Sequence, residues 1–371
     1  MKRRDLLRRA GIGLAAVAGS ELLAACGGAA SPAPASTVAA SSAAASAAAT
    51  AASLPVIRIS NTPANQSPTD FMTLVARSQG LYTKYGVDGQ IVDGTTKSVP
   101  PLFLSGKIDV LLHGSALFTQ ALEGQKVKIV AGLGSASPFA LIAKPSIGSV
   151  ADLKGKVFGV QAQTGSIYQM ALYQLKKGGL TPKDVSFRVI AGYPNLTQAL
   201  MAGGVDAALV RWADAFEATT KSSAHVLTDD PANGFDLIGY RFAGVHTAFA
   251  DQQPAAVQGF VTALIQATRM LAKDQTLYTS QVKALLPSVS AAEAAYTYTI
   301  QEKVGFWSVN GGMDPAGVER NLAFYRGLIT ATGASPAPVS AIADSRFVKA
   351  ALDTLGGPIA STTDPASWYK K

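Results

Sequence analysis

Arg211, Trp212 and Asp214 stand together in Arg211-Trp212-Ala213-Asp214, directly after an apolar run at residues 205–210. A guanidinium offers a planar fork of donors that matches the oxygens of a sulfonate or carboxylate. An indole offers a flat face to an organic body. Asp214 can equally neutralise Arg211, and the two outcomes imply different ligands. An unpaired Arg211 facing a cleft implies an organic anion such as an alkanesulfonate. A paired one implies a neutral or aromatic compound, such as a pyrimidine or flavin-related precursor.

Similar polar clusters follow other short apolar runs. They hold Asn61 and Asn65, then His113 and Ser115, then Ser135, then Thr164 and Ser166, then Tyr193. Hydroxyls, amides, one imidazole and two aromatics suit capture of a small polar or anionic group on an organic body. Thr164 and Ser166 also fit a helix start, which can be capped and bind an anion at once. His113 equally fits a satisfied structural role at a strand end. Ser67-Pro68 reads as a helix cap with Pro at the first helical position, and Phe324 and Tyr325 read as core.

No catalytic set accompanies these residues. The three histidines, His113, His225 and His246, sit in no recognisable motif. There is no nucleophile elbow, zinc-protease helix or phosphate loop. Cys26 is the only cysteine, which excludes a disulfide within one copy and a multi-thiolate metal site. The expectation is a binding protein without cofactor or metal.

The elements that would position these residues alternate between strand and helix. Residues 56–60, 90–92, 108–112 and 127–133 read as strands, with helical segments between them. Residues 156–160, 186–190 and 205–210 repeat the plan. Leu104-Ser105-Gly106-Lys107-Ile108-Asp109-Val110 parallels Met201-Ala202-Gly203-Gly204-Val205-Asp206-Ala207, and Gly80-Leu81 parallels Gly179-Leu180. Such alternation predicts two α/β lobes, each a mostly parallel sheet flanked by helices. Ligands in such sheets sit beyond the carboxyl ends of the strands. Residues 254–273, 291–303 and 314–330 read as helices of a tail packed on the first lobe.

The amino terminus places the protein. Lys2-Arg3-Arg4-Asp5-Leu6-Leu7-Arg8-Arg9, an apolar run and Leu23-Ala24-Ala25-Cys26 form an export signal over residues 1–26. Arg3-Arg4 with Leu6-Leu7 resembles a twin-arginine signal, with Lys2 where Ser or Thr is usual and Leu6 where Phe is usual. The last four residues resemble the lipobox of bacterial lipoproteins, which implies a lipidated Cys26 and attachment to the membrane. Residues 27–53 hold no charge and consist almost wholly of Ala, Ser, Gly, Pro and Thr, a composition that predicts a disordered tether. The chain carries +8, of which residues 1–26 contribute +3, leaving about +5 scattered over the remainder. With no basic block interleaved with aromatics, nucleic acid is not an expected partner.

Gly80-Leu81-Tyr82-Thr83-Lys84-Tyr85-Gly86-Val87, Leu104-Ser105-Gly106-Lys107-Ile108-Asp109 and Ser149-Val150-Ala151-Asp152-Leu153-Lys154-Gly155-Lys156 resemble, in order, three segments of the nitrate/sulfonate/taurine-type substrate-binding proteins of ABC importers. That family is related to the binders of thiamin-pyrimidine precursors. The resemblance implies a type II periplasmic-binding-protein-like fold. Two crossing strands form its hinge, near residues 139–143 and 237–245. Lobe 1 would comprise residues 54–142 and 242–371, and lobe 2 residues 143–241. It further implies a monomer outside the cytoplasm that closes on a small molecule and docks on a permease served by an ATPase. A ligand sensor and a pyrimidine-synthesis-type enzyme are other uses of this fold. The latter carries a cysteine-rich motif that this chain lacks.

Overall fold

Val56–Asn61 points Ile57 and Ile59 into the core, both fully buried, and forms strand β1. The computed structural model describes residues 53–63, 67–95, 97–163, 165–228, 241–329 and 338–369. The signal, the tether up to residue 52, Cys26, Asn65 and Thr164 lie outside these. Strands β2 (Asp88–Asp93), β3 (Val110–Leu112), β4 (Val127–Gly132), β5 (Phe139–Ala143), β6 (Val157–Val160), β7 (Ser186–Val189), β8 (Ala207–Arg211), β9 (His225–Thr228) and β10 (Phe242–His246) follow. They make two five-stranded sheets, ordered β2-β1-β3-β10-β4 and β7-β6-β8-β5-β9.

One strand of each sheet comes from the other half of the sequence. β5, which follows β4, runs antiparallel between β8 and β9 in the second sheet. β10, which follows β9, runs antiparallel between β3 and β4 in the first. The sheets are otherwise parallel where β1 meets β2 and β3, and where β6 meets β7 and β8. β5 is buried on both faces, as a covered sheet requires. Ala140 and Ile142 join one apolar cluster, while Phe139, Leu141 and Ala143 join another on the opposite face.

The duplicated motif has a physical cause. Asp109 accepts from the Arg58 backbone N–H at 2.8 Å and returns its own N–H to the Arg58 carbonyl at 2.8 Å. Asp206 does the same with Val157, at 2.8 Å each way. Each aspartate thus pins one strand to the neighbouring first strand of its sheet. A cation completes both sites: Arg58 reaches Asp109 and the Gly106 carbonyl, and Lys144 reaches Asp206 and the Gly203 carbonyl. Gly106 and Gly203 turn the chain at φ 72° and 80°, where a side chain would be strained. Asp109→Ala is expected to cost about 2–3 kcal/mol, through loss of charge-assisted bonds and an orphaned Arg58 N–H. Urea unfolding measures this, and an unchanged midpoint would refute it.

The tail helices cover the first sheet. Helix Pro254–Lys273 packs on helices Met72–Ser78, Leu81–Lys84 and Arg346–Thr354, and the last of these also meets β4. Gly259 lets the 254–273 helix approach closely, since a Cβ there would lie 2.4 Å from the Tyr85 carbonyl oxygen. One local expectation is corrected. Ser67 does not cap a helix: its hydroxyl meets that of Thr69 at 2.6 Å, and the helix begins at Met72. Tertiary contacts hold this turn open. The Pro68 carbonyl accepts from the Tyr278 hydroxyl at 3.0 Å and from the Gln301 amide at 3.2 Å. Among the described residues, no helix is long and apolar enough to cross a membrane.

Candidate functional site

Arg211 is the last residue of β8, and helix Trp212–Lys221 starts immediately after it. The helix places Asp214 in its first turn, where the dipole favours a carboxylate. Arg211 donates from Nε at 2.6 Å and from a terminal nitrogen at 3.2 Å to the two Asp214 oxygens. Both side chains are largely buried, at 15% and 6% exposure. The guanidinium also lies 4.9 Å from the Tyr193 ring centroid, so the fork is engaged on its edge and its face. Burial alone would lower the Arg211 pKa, but the bonds and charge of Asp214 outweigh it and hold the pKa above its ordinary value.

Trp212 was expected to offer its ring to a ligand, and the structure buries it at 2% exposure. Its indole N–H donates to the Ser137 carbonyl at 3.3 Å and its backbone N–H to Pro138 at 3.1 Å. The residue ties the start of β5 to the end of β8. Tyr193 opens helix Tyr193–Met201 and rests on Phe139 at 5.6 Å between centroids.

The corresponding strand ends of the first sheet carry His113 and Arg241. His113 follows β3, and its Nδ1 accepts from the Ala116 backbone N–H at 3.2 Å. Burial, then the charge of Arg241, pushes its pKa down to about 4. The imidazole is therefore neutral at physiological pH, with its proton on Nε2. Arg241 precedes β10; its carbonyl accepts from the Leu133 N–H at 3.0 Å. Its guanidinium meets Asp70 and the Thr62 hydroxyl, each at 3.5 Å. Asp70 in turn acts electrostatically on Arg211.

The remaining candidates divide by placement. Asn61 donates to Asp93 at 2.7 Å across the ends of β1 and β2. Ser135 is buried, its hydroxyl 2.9 Å from that of Ser308 and its N–H on the Phe306 carbonyl at 2.7 Å. Ser115 opens helix Ser115–Leu122, and Ser166 stands in the first turn of helix Gly165–Lys177. Arg241, Asp70 and Glu293 were not singled out from the sequence. The position of Arg241 beside the second crossing strand was the available signal for it.

A cavity of about 440 Å³ runs beside this constellation. Ser67 and Glu293 line one side, and Arg211, Asp214 and Glu217 the other. Helix Trp212–Lys221, which follows the second sheet's β8, packs here on helix Ala291–Lys303 of the tail. Phe216 meets Tyr296 at 5.3 Å between ring centroids.

Solved structures share the fold. A periplasmic sulfonate-binding protein SsuA from Methylobacillus flagellatus KT is 20% identical, with 82% of this chain and 95% of that one covered at a TM-score of 0.65. The periplasmic aliphatic sulphonate binding protein SsuA from Escherichia coli is 17% identical, covering 78% and 92% at 0.62. The desulfurization enzyme DSZB is 17% identical, covering 81% and 99% at 0.60. At these identities the likeness establishes the fold, which binding proteins and an enzyme share. No curated protein sequence matches the chain. The NMT1/THI5-like family model matches residues 67–276, more than half of the 371. With its two strand-exchanged sheets in the periplasmic binding protein fold, this chain belongs to the NMT1/THI5-like family.

Proposed function

We propose that the chain is the extracytoplasmic substrate-binding component of an ABC importer, capturing a small organic anion of the alkanesulfonate type. The reciprocal exchange of β5 and β10 carries this reading. Two crossings let the half built on the first sheet close against the half built on the second, to which β5 at residues 139–143 belongs, as in hinge-closing binders. Polar loops at the strand ends then supply half of the site each. Asn61, Asn65, Ser115, Thr164, Ser166 and Tyr193 would surround the ligand, with Ser135 and Trp212 supporting those loops from below. A lipidated Cys26 and the tether of residues 27–53 would keep the body near a permease and its ATPase, at raised effective concentration. The protein acts as a monomer and turns nothing over; its one cysteine precedes the two-sheet body.

Asp214's hold on Arg211 favours a second reading, a neutral or aromatic ligand such as a pyrimidine or flavin-related precursor. Thermal-shift titration separates the two. The first reading expects ethanesulfonate and taurine to raise the unfolding midpoint by several degrees, as mass action requires of a ligand well above its Kd. Stabilisation by heterocycles alone would transfer the assignment to the second reading. Product formed from a bound compound would refute both.

A further inference from the structure

We propose that the far end of the second sheet is a membrane-facing surface, where a face of exposed lysines rests on anionic lipid and orients the tethered body. The inference goes beyond the ligand reading above and uses only its tether. Residues 144–188 hold six lysines and Arg188 against Asp152 and Asp184. Their net +5 equals the whole excess left outside residues 1–26, so the rest of the body is neutral on balance.

The fold gathers these charges at one end. β6 and β7 are parallel and start level, with Val157 beside Ser186. Lys154, Lys156 and Lys183 therefore lie just before their amino ends. The Ser186 N–H donates to the Lys156 carbonyl at 2.8 Å, and the Gly155 N–H to the Asp184 carbonyl at 2.7 Å. Helix Gly165–Lys177 joins the two parallel strands, so it runs back against them and ends on the same side with Lys176 and Lys177. Lys144 arrives there because β5 is antiparallel to β8, with Ala143 beside Ala207. The acids of this end are already engaged. Asp152 accepts from Ser149, Asp184 from Thr181, and Asp206 from Lys144 and the Val157 N–H. Lys154, Lys156, Lys176 and Lys183 are exposed, and none of them makes a salt bridge among the described residues.

The chemistry of the face favours lipid over protein. Lysine is depleted at protein interfaces, whereas juxtamembrane lysines gain about 1 kcal/mol each beside anionic lipid. The one arginine of the set donates to the Gly204 carbonyl. That attraction reaches only about 8 Å at physiological salt, so the body must already be close. The tether of residues 27–53 supplies the proximity, since a coil of that length spans about 30 Å on average. It enters at Val56. β10 comes off its crossing at Phe242 and runs antiparallel to β3, and so to β1, which puts Val56 at the end of the first sheet remote from the crossings. Lys144, beyond the last residue of β5, is at the remote end of the second sheet. A tether at one end and lysines at the other lay the body lengthwise along the lipid, with the crossings midway.

Vesicle co-sedimentation tests this on the chain from residue 27 onward, which keeps the compact unit of residues 52–371 and omits the basic head of the signal. Vesicles of phosphatidylcholine with phosphatidylglycerol should retain the protein at low salt and release it at about 0.5 M, where screening is strong. Vesicles of phosphatidylcholine alone should not retain it. Replacing Lys154, Lys156, Lys176 and Lys183 together by Gln should weaken partitioning at least about 10-fold. The melting curve should not move, because all four are exposed and make no salt bridge. Replacing Lys107, Lys126, Lys273 and Lys283 by Gln removes equal charge elsewhere and should leave partitioning nearly unchanged. Equal losses in the two variants, or a parent that ignores anionic vesicles, would overturn the proposal. A parent held by a permease through the four lysines but not by lipid would move the face to a protein partner and overturn it equally. No ligand enters the assay, so failure here leaves the organic-anion reading standing.

Discussion

Asp214→Ala is expected to destabilise the protein by about 3–5 kcal/mol, the usual cost of stripping one partner from a buried ion pair. Arg211 would stay in place, 15% exposed, with the Tyr193 ring and the more distant Asp70 as its remaining company. Neither replaces a two-pronged carboxylate. Arg211→Ala should cost less, because the orphaned Asp214 still enjoys the amino-terminal dipole of helix Trp212–Lys221. Replacing both residues together by Met and Leu should recover most of the loss, since apolar groups of similar volume often substitute for a buried pair without penalty. Urea unfolding of the four proteins, followed by circular dichroism, measures all three effects. An Asp214→Ala midpoint equal to the parent's would mean that Arg211 is not held by Asp214 in solution. Arg211 would then return as an anion-binding candidate.

The scaffold was legible because its logic is local. The strand at Val56–Asn61 and the helix Pro254–Lys273 follow from apolar period, and the helix Ala291–Lys303 from its end signal, the Ser290 cap on the Glu293 N–H. The Asp109 and Asp206 turns left a visible repeat because each aspartate bonds backbone, and backbone geometry recurs wherever the motif does. The site was less legible because it depends on choices among partners. Arg211 and Asp214 at a strand-to-helix junction are compatible with a free fork or a closed pair, and only the position of the helix start decides. Trp212 and Ser135 follow the ends of β8 and β4, Trp212 already in a helix, yet their polar atoms turn to Ser137 and Ser308. Ser67-Pro68 has the composition of a cap, and nothing nearby announces that Tyr278 and Gln301 claim its carbonyl. Arg241 and Asp70 lie on distant segments that meet only after β10 returns to the first sheet.

Ligand affinity is expected to fall as pH rises above the ordinary carboxyl range, and Glu293 is the cause. Glu293 stands in the first turn of helix Ala291–Lys303, its N–H bonded to the Ser290 hydroxyl at 3.1 Å, and faces helix Trp212–Lys221 across the cavity. Burial raises its pKa, and the charges of Asp214 and Glu217 raise it further. Ser290 and Arg211 oppose them without cancelling the shift. Lys221 offers little relief, being engaged with Glu217 at 3.1 Å. The Tyr278 hydroxyl stays protonated, its own pKa raised by burial. The sign follows from linkage, with the helix packing of this structure taken as the ligand-bound arrangement: that arrangement holds the proton more tightly than one in which the helices part. Closure is therefore favoured at low pH and weakens as pH climbs from the usual glutamate value through the raised one. His113, with its pKa near 4, does not titrate between pH 5 and 8, and a sulfonate stays ionised throughout. Titrating ethanesulfonate across that range should show a several-fold loss of affinity in the parent and a flat profile in Glu293→Gln. A Glu293→Gln profile as steep as the parent's would place the proton elsewhere. A variant that binds more weakly at every pH would mean that Glu293 holds the ligand instead of gating closure.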